Sequence, residues 1–332
     1  MIETISRSRL VELLQAGSEQ RVAVIGDAML DVYLRGEVSR ISPEAPVPVV
    51  RVRERKLALG GAANVAQNVL AIGAECELVA TVGDDREGTQ LKDMLASLGA
   101  DTRSVVTVAR PTTTKTRVLA RAQQVVRFDE EDDADITGSD IKKLIEKAAA
   151  ALADADAIIV QDYNKGVLTS ALIDAVMRDG SKRGLPVVVD PKYRNFFAYR
   201  GATIFKPNRR ELEAAMGASV DLEHPEALPG VLSRLGVSNL LLTLGEAGMA
   251  LIAADGEVGR VPTTAREVYD VVGAGDTVTA YLATMLAAGA TPAEAAVIAN
   301  FAAGIEVAKL GAATVTIDEV TEAYDMFGTL AP

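Results

Sequence analysis

Residues 270–277, Asp270-Val-Val-Gly-Ala-Gly-Asp-Thr277, place a glycine turn directly before an apolar segment at 278–288. This pattern predicts a helix whose N-terminus lies on the turn, because Gly273 and Gly275 allow a sharp bend with outward N–H groups. Such N–H groups and the helix dipole bind anions. Asp276 repels an anion, but it suits a general base that takes a proton from an attacking hydroxyl. Taken alone, the stretch also matches a plain helix cap.

Composition excludes several classes of protein. The chain has 332 residues, 49% hydrophobic and 24% charged, enough for one large domain with or without a lid. Its net charge of −12 argues against nucleic-acid binding, and no apolar segment resembles a membrane span or a signal peptide. Cys76 is the only cysteine, so disulfides within the chain and zinc–cysteine sites are excluded. We therefore expect a cytoplasmic protein without a nucleic-acid or membrane partner.

The supply of catalytic side chains is narrow. His224 is the only histidine, and the polar stretch around it predicts a surface loop. This position excludes Ser-His and Cys-His pairs, and a carboxylate is the expected general base. The sequence contains no GxxxxGK[ST] motif, which excludes a P-loop nucleotide site.

Short apolar runs alternate with amphipathic segments along the chain. The runs at 22–26, 78–83, 157–162, 186–190, 202–205 and 240–244 predict strands. The segments at 62–72, 86–98, 139–153, 170–183, 208–216, 277–288 and 292–310 predict helices, with another after Asp318. This alternation is typical of an α/β protein with a mainly parallel sheet covered on both faces. Ligands bind such sheets at the carboxyl ends of the strands, so the polar residues there are candidates: Asp27, Asp162, Asp190, Asn208 and Gly245.

Two regions interrupt the alternation. Residues 42–52 hold three prolines and then a β-rich run, and residues 112–120 and 124–129 predict two strands with no helix between them. Proline is confined to the edges and starts of strands. A small separate sheet follows, formed by segments at about 40–58 and 110–130. It is either a surface hairpin or a lid over the active site.

Further motifs favour a substrate site, each with a structural alternative. Gly60-Gly61-Ala-Ala-Asn64 is a second glycine turn before a helix, which also suits close helix packing. Asp27 and Asp31 follow the first strand, where carboxylates accept hydrogen bonds from sugar hydroxyls or simply cap a turn.

Two motifs in the second half suit a nucleotide. In Lys206-Pro-Asn-Arg-Arg-Glu211, Asn208 and Glu211 match a capping box, which is either structural or organises metal-bound phosphates. The stretch 243–248 holds glycines that suit a nucleotide or a hairpin turn. Lysines and arginines at strand ends and on the lid form a cationic set, or simply a solvated surface: Lys165, Lys192, Arg117 and Arg121.

Together these motifs resemble the ribokinase-like (PfkB) carbohydrate kinases over nearly the whole chain. The two specific matches are 60–64 and 270–277, where Val271 and Val272 replace more usual polar residues. The resemblance implies one kinase domain over 1–332, a three-layer sandwich with a small β-sheet lid. Within the family the chain is most similar to stand-alone kinases of D-glycero-β-D-manno-heptose 7-phosphate, which act in lipopolysaccharide heptose synthesis. That narrower match rests on residues 40–48, 121–129, 162–166 and 267–270.

The resemblance also implies roles for individual residues. The γ-phosphoryl group of ATP would pass to the anomeric hydroxyl of the sugar phosphate, with Asp276 as base and Gly273, Ala274 and Gly275 around the phosphoryl group. The sugar side would comprise Asp27, Asp31, Gly60, Gly61, Asn64 and Asp162, with Lys165 and Arg117 on the distal phosphate. The ATP side would comprise Lys192, Asn208, Arg209, Arg210, Glu211, Thr243, Gly245, Gly248 and Asn300. Mg²⁺ would bridge the phosphates, with Glu211 acting on it indirectly. The resemblance also implies a homodimer joined through the lids, and it leaves the need for a monovalent cation open.

Three other functions compete with this hypothesis. A ribokinase-like kinase for a fructose phosphate would use much the same residues, whereas a nucleoside carries no phosphate for the cationic pair. A non-catalytic dinucleotide-binding module would need GxGxxG after the first strand, where the chain has Gly26-Asp-Ala-Met-Leu-Asp31. An interaction protein that only uses the lid would leave Asp276 without a role.

Overall fold

The computed structural model describes residues 5–121, 123–224, 228–253, 256–265, 268–309 and 311–327. The strands are β1 Arg21–Gly26, β2 Ala28–Ile41, β3 Pro48–Gly61, β4 Glu75–Gly83, β5 Val105–Val108, β6 Thr114–Ala120, β7 Gln123–Glu130, β8 Ala157–Gln161, β9 Val187–Asp190, β10 Ile204–Phe205, β11 Asn239–Thr243, β12 Met249–Ile252 and β13 Val258–Val261. The helices are α1 Arg7–Gly17, α2 Ala62–Ile72, α3 Arg86–Ser97, α4 Gly138–Ala151, α5 Ser170–Arg183, α6 Arg209–Met216, α7 Leu228–Leu235, α8 Ala274–Ala287, α9 Pro292–Glu306 and α10 Ile317–Phe327. In these ranges, none of the helices has the length and apolar character needed to cross a membrane.

Nine strands form the central sheet in the order β13-β12-β11-β10-β9-β8-β1-β4-β5. The strands from β11 to β5 in that order pair in parallel, and β12 and β13 join one edge in antiparallel orientation. Successive side chains of a strand point to opposite faces. In β1, Val22 and Val24 therefore enter one core, while Ala23 and Ile25 enter the other. The predicted α/β sandwich with a mainly parallel sheet is confirmed.

The helices cover the two faces in separate groups. Buried residues of α1, α2, α3, α8, α9 and α10 belong to the first core, and those of α4, α5, α6 and α7 belong to the second. Helices α2 and α8 are neighbours on the first face. This neighbouring placement brings the two glycine turns of the sequence, which lie about 210 residues apart, to one edge of the sheet.

The second sheet contains four strands in the order β3-β2-β6-β7, and we call it the lid sheet. The predicted segments 40–58 and 110–130 supply β3, β6 and β7. The 14-residue strand β2 was not predicted, because the residues after Asp27 were interpreted as a turn. Only Asp27 separates β1 from β2, so the chain passes directly from the central sheet into the lid sheet. As a result, Asp31 lies on a lid strand.

The two faces of the lid sheet differ in polarity. The registers align Asp31 with Lys115 and Asp129, and they align Tyr33 with Arg117 and Arg127, so these side chains share one face. The opposite face carries apolar rows: Val32 and Phe128, Leu34 with Val118 and Val126, and Val38 with Val50. A register shift between Arg35 and Gly36 places Val50 and Val52 on this apolar face.

Several element bounds differ from the predictions. Helix α8 begins at Ala274 and not at 277, so Asp276 lies in its first turn. Helix α9 ends at Glu306, and Leu310, its predicted end, lies outside the described residues. The stretch 243–248 forms the turn of the antiparallel hairpin β11–β12, which is the hairpin turn that the sequence offered as one alternative. Helices α1 and α7 and strands β5, β12 and β13 were not predicted.

Candidate active site

Polar side chains converge where the carboxyl ends of β1, β8 and β9 meet the N-termini of α2 and α8. Gln161 ends β8, Asp190 ends β9, and Asp27 follows β1 directly. All three side chains are buried. In parallel sheets this edge is the usual place for a ligand. The geometry therefore brings the predicted base, Asp276, and Asn64 of the other glycine motif to the edge that suits catalysis.

Three side chains donate hydrogen bonds to the Asp276 carboxyl group. Asn64 Nδ2 lies 2.7 Å from Oδ2, while Gln161 Nε2 and the Tyr163 hydroxyl lie 3.0 Å and 3.1 Å from Oδ1. Gln161 also donates to Asp190 Oδ2, at 3.1 Å. A carboxylate has about four acceptor positions, so one on Oδ2 is left for a ligand hydroxyl.

Burial raises the pKa of Asp276 from 3.8 to about 6, because a buried carboxylate loses hydration. The hydrogen bond from Asn64 opposes this rise in pKa, and the negative charge of Asp190 adds to it. The positive charge of Lys206, whose Nζ lies 3.0 Å from Asp190 Oδ2, lowers the pKa of Asp276. A carboxylate with a pKa near 6 is ionised at neutral pH and can accept a proton in a transition state.

Both glycine turns need a backbone that other residues rarely adopt. Gly61 precedes α2 with φ 57°, and a Cβ there would lie 2.3 Å from the backbone oxygen of Asp27. Gly273 precedes α8 with φ 102°, and a Cβ there would lie 3.0 Å from Glu306 Oε1. The turn at Gly273 leaves the first N–H groups of α8, from Ala274 to Asp276, at the helix N-terminus, where they suit an anion.

On the lid side, the predicted cations are paired with carboxylates. Arg117 Nη1 lies 2.5 Å from Asp31 Oδ1, and Lys165 Nζ lies 2.7 Å from Glu131 Oε1. The second oxygen of Asp31 faces Gly60, because a Cβ at Gly60 would lie 2.8 Å from it. Arg121, the fourth cation of the predicted set, is exposed at the turn between β6 and β7, with φ 56°.

Asp27 and Asp162 hold the loop that follows β8. The Asp27 carboxylate accepts the backbone N–H groups of Tyr163, Lys165 and Val167 at 2.8–3.1 Å. Burial raises the pKa of Asp27 to about 6 despite these bonds. Asp162 accepts the N–H of Asn164 and the hydroxyl of Tyr199. In the structure these carboxylates accept hydrogen bonds from backbone N–H groups of the loop and from Tyr199, and their predicted role in holding the sugar stays a prediction.

Asp276 also lines a polar cavity of about 240 Å³, which lies next to the ends of β9 and β11. Its lining includes Tyr163, Asp190, Lys192, Lys206, Asn208, Glu211, Thr243, Gly273, Gly275 and Asp276. Asn208 and Glu211 form the predicted capping box at the start of α6, and Glu211 is also ion-paired with Lys192. Lysines, a glycine turn and carboxylates together suit phosphate groups and a hard cation.

A mainly apolar cavity of about 510 Å³ adjoins it. Thr243, Gly245, Gly248, Val271, Val278, Asn300, Gly304 and Val307 are among its lining residues. Asn300 Nδ2 donates to the backbone oxygen of Pro262, at 2.8 Å, so it fixes the wall of this cavity. Arg209 and Arg210 instead line a neighbouring cavity. The polar cavity followed by the apolar one matches the shape of a phosphate tail and a base.

Several residues of this site were not predicted from the sequence. Gln161 donates to Asp276, and Lys206 donates to Asp190. Gln161 ends β8 and Lys206 follows β10, so both have the strand-end position that singled out Asp190 in the sequence. Lys115 of β6 lies on the polar face of the lid sheet, 5.4 Å from the centre of the Tyr163 ring, and burial lowers its pKa. Glu306 is fully buried behind the Gly273 turn. Glu267, part of the narrower match, lies outside the described residues.

Comparison with known proteins identifies the family. The model of the pfkB family of carbohydrate kinases matches residues 19–319. The chain belongs to this family. It is therefore a phosphotransferase that acts on a sugar hydroxyl. Kinases of this family use ATP and typically Mg²⁺, and some use a monovalent cation.

A curated relative and two solved structures illustrate the match. The chain is 46% identical over 319 residues to the bifunctional protein HldE of Citrifermentans bemidjiense, covering 95% of the chain but only 66% of that relative. Arabidopsis thaliana ribokinase complexed with ribose and ATP aligns with a TM-score of 0.73 at 21% identity, covering 92% of this chain and 98% of that one. Phosphofructokinase-2 from Escherichia coli in complex with potassium gives 0.73 at 18%, covering 93% and 98%. At such identities, the structures support the fold alone.

Proposed function

We propose that the protein transfers the γ-phosphoryl group of ATP to the anomeric hydroxyl of D-glycero-β-D-manno-heptose 7-phosphate, forming the 1,7-bisphosphate. The observation that carries the proposal is the position of Asp276. It lies between the glycine turn at the N-terminus of α8, the polar cavity and the cationic face of the lid sheet. The heptose specificity rests on the motif resemblance and on the 46% identity with an HldE protein.

Asp276 acts as the general base in this proposal. Its ionised carboxylate accepts the proton of the acceptor hydroxyl as that oxygen attacks the γ-phosphorus. The N–H groups of Ala274 and Gly275, beside Gly273, stabilise the charge that develops on the transferring phosphoryl group. Lys206 lies near this turn, because a Cβ at Gly275 would be 3.7 Å from its Nζ. Its charge suits the same group.

The sugar ring lies against Gly60, Gly61 and Asn64, under the polar face of the lid sheet. Asp31 keeps one oxygen towards Gly60 and accepts sugar hydroxyls there. Asp27 and Asp162 contribute by holding the loop that carries Lys165.

Lys165 and Arg117 bind the distal phosphate of the sugar in this proposal. Each is paired with a carboxylate, so a dianionic phosphate must compete with Glu131 and Asp31 for them. The side chains of Lys165 and Glu131 are 16% and 26% exposed, so the phosphate can reach this pair at the mouth of the site. Lys115, on the same lid face, adds a third positive charge.

The nucleotide occupies the two adjoining cavities. Its phosphates lie beside Lys192, Asn208 and Glu211, and its base lies in the apolar cavity near Gly245, Gly248 and Asn300. The carboxylates of Asp190 and Glu211 in the polar cavity would hold Mg²⁺, directly or through water, and the ion would supply positive charge to the phosphate oxygens. Arg209 and Arg210 lie at the outer edge, and Thr243 lines all three cavities.

A monovalent cation fits behind the glycine turn. Among the residues that the structure describes, none hydrogen-bonds to the two buried carboxylate oxygens of Glu306. Burial raises the pKa of Glu306, and the negative charge of Asp270 adds to this rise. A cation there would neutralise the pair and brace Gly273 from behind. Within the described parts of the chain, no group of three or more His, Cys, Asp or Glu side chains is placed to hold a metal ion.

We also propose a homodimer in which two lid sheets meet through their apolar faces. Val126 and Phe128 on this face are 48% and 46% exposed, and Val52 is 46% exposed. A continuous apolar patch of this kind marks an interaction surface, and a twofold copy is its simplest cover. Ribokinase-like kinases form dimers or tetramers, which supports the arrangement.

A coupled ADP-release assay of purified protein with ATP, Mg²⁺ and a panel of sugar phosphates tests the proposal. We expect the highest kcat/KM with the β-anomer of the heptose 7-phosphate, and a phosphorus NMR spectrum of a 1,7-bisphosphate product. Fructose 1- and 6-phosphates represent the second candidate, which the cationic lid face also suits. A preference for either fructose phosphate would replace the heptose assignment and keep the kinase.

A further inference from the structure

Tyr163 lies at the centre of the site but has no role in the proposed reaction. It lies in the loop after β8, between the lid sheet and the phosphate-side cavity, and its hydroxyl donates to Asp276 Oδ1 at 3.1 Å. The ammonium groups of Lys115 and Lys192 lie 5.4 Å and 5.6 Å from the centre of its ring. One lysine comes from the lid sheet and the other from the phosphate side, so the ring contacts both halves of the site.

The loop holds this tyrosine in place. Asp27 Oδ2 accepts its backbone N–H at 2.8 Å, and the neighbouring Asn164 adopts φ 53°. A Cβ at Gly166 would lie 2.0 Å from the backbone oxygen of Ala134, so this loop packs closely on the chain beneath it. A side chain on such a loop has a restricted range of positions, and its hydroxyl can hold a partner in one orientation.

The acceptor positions of Asp276 show what the hydroxyl does. Among the described residues, Gln161 and Tyr163 donate to Oδ1, and Asn64 is the single donor to Oδ2. A ligand hydroxyl that donates to this carboxylate therefore meets Oδ2. Without the Tyr163 hydroxyl, Oδ1 would regain an acceptor position, and the carboxylate could rotate or accept the sugar hydroxyl on the wrong oxygen.

We propose that Tyr163 is a positioning residue for phosphoryl transfer: its hydroxyl holds Asp276 with Oδ2 directed at the acceptor hydroxyl. This inference rests on the proposed role of Asp276 as base, but not on which sugar is the acceptor. Because the hydroxyl donates to the ionised carboxylate, it also favours the charged form that the base needs. The other charged groups around Asp276 are Asp190, Lys206 and Glu306, and they stay in place when only the hydroxyl is removed.

Tyr163→Phe tests the proposal, because it removes the hydroxyl and keeps the ring between the two lysines. With the sugar phosphate that the wild type uses best, we expect kcat to fall about 10- to 100-fold, the loss typical of a hydrogen bond to a charged group. KM for both substrates should change by less than about twofold. The acid limb of kcat/KM should move about one pH unit upward, because the pKa of the base rises.

Tyr193→Phe is the matched control, since Tyr193 directly follows Lys192 in the sequence but is 74% exposed. It should match wild type in kcat and in pH profile. Tyr163→Leu removes the ring as well, and we expect the same upward move of the acid limb with an added rise in KM.

A readout without turnover separates this inference from the proposed function. In protein labelled with ¹³C at aspartate carboxyl groups, the Asp276 signal is assigned by its loss in Asp276→Asn. Its titration midpoint should be higher in Tyr163→Phe than in wild type, whichever sugar the enzyme accepts. An unchanged midpoint together with wild-type kcat would overturn the proposal. A lower KM for the sugar in Tyr163→Phe would also overturn it, because the hydroxyl would then compete with substrate.

Discussion

Replacement of Asp276 by asparagine tests the centre of the proposed mechanism. The substitution keeps the shape of the side chain and removes the charge that accepts the proton. Loss of a general base lowers the rate by about 10²–10⁴-fold, and we expect kcat to fall by that amount. In wild type, kcat/KM should decline as the pH falls below about 6, because protonation of Asp276 removes the base. The variant should lack this pH dependence.

The structure also predicts that the variant stays folded. Burial raises the pKa of Asp276 from 3.8 to about 6, which corresponds to roughly 3 kcal/mol of unfavourable free energy for the ionised form in the folded state. This cost is absent below pH 3.8 and complete above pH 6. At pH 8 the asparagine variant avoids this cost, although its NH₂ group cannot accept a hydrogen bond from the donor that it faces. We therefore expect a melting temperature equal to or above that of wild type.

The assay couples ADP release to a spectrophotometric reaction, and calorimetry measures ATP binding to each protein. Asp174→Asn, at an exposed position of α5, is the matched control and should keep wild-type kcat. If Asp276→Asn retains more than about a tenth of wild-type kcat while folded and able to bind ATP, Asp276 is not the base.

Three further predictions concern the surroundings of the base. Lys165→Met should raise KM for the sugar phosphate about tenfold or more and leave KM for ATP nearly unchanged, because it removes a charge-assisted hydrogen bond; equal effects on both substrates would move Lys165 to the nucleotide side. Phe128→Asp and Val126→Asp should convert a dimer into monomers in light scattering at micromolar concentration, and a dimer unaffected by both charges would exclude the lid interface. These positions are better probes than Val118, which is buried. Glu306→Gln should raise the melting temperature in buffer without alkali cations, since burial raises the pKa of Glu306 from 4.5 to about 8. The gain should grow between pH 4.5 and 8, where the unfolded carboxyl ionises before the folded one; a gain independent of pH would show that Glu306 is not protonated in the folded protein.

The glycine motifs were the most predictable part of the site. Residues 60–64 and 270–277 each place small residues before a helix, and each is followed by an apolar segment. Local rules for glycine turns and helix N-termini suffice to place Asn64 and Asp276 at helix starts. Their hydrogen bond at 2.7 Å depends on α2 packing against α8, which parallel strand topology suggests and local rules do not specify.

The ionic pairs of the lid could not be predicted from the sequence. Arg117 contacts Asp31 because β2 and β6 pair in parallel, with Tyr33 opposite Arg117 and Asp31 one row earlier. Strand β2 was not predicted, because its first residues continue the apolar run of β1 past a single aspartate. Without that strand there is no register, and the arginine could only be described as a cation of the lid.

The two-residue period of the lid strands separates two tasks that the proposal gives to one small sheet. Side chains on the polar face, such as Asp31 and Arg117, contact the substrate region, while Val126 and Phe128 point to the opposite face. Under the proposal, a charge at Phe128 would therefore change assembly without contacting the Arg117–Asp31 pair. A register shift of one residue would exchange the faces, so that the apolar residues would meet the sugar phosphate. The register shift between Arg35 and Gly36 shows how the faces are kept, because it places Val50 and Val52 on the apolar face. If the proposal is right, substrate binding and the pairing of two chains depend on the same strand register, and an insertion of one residue in β6 should abolish both together.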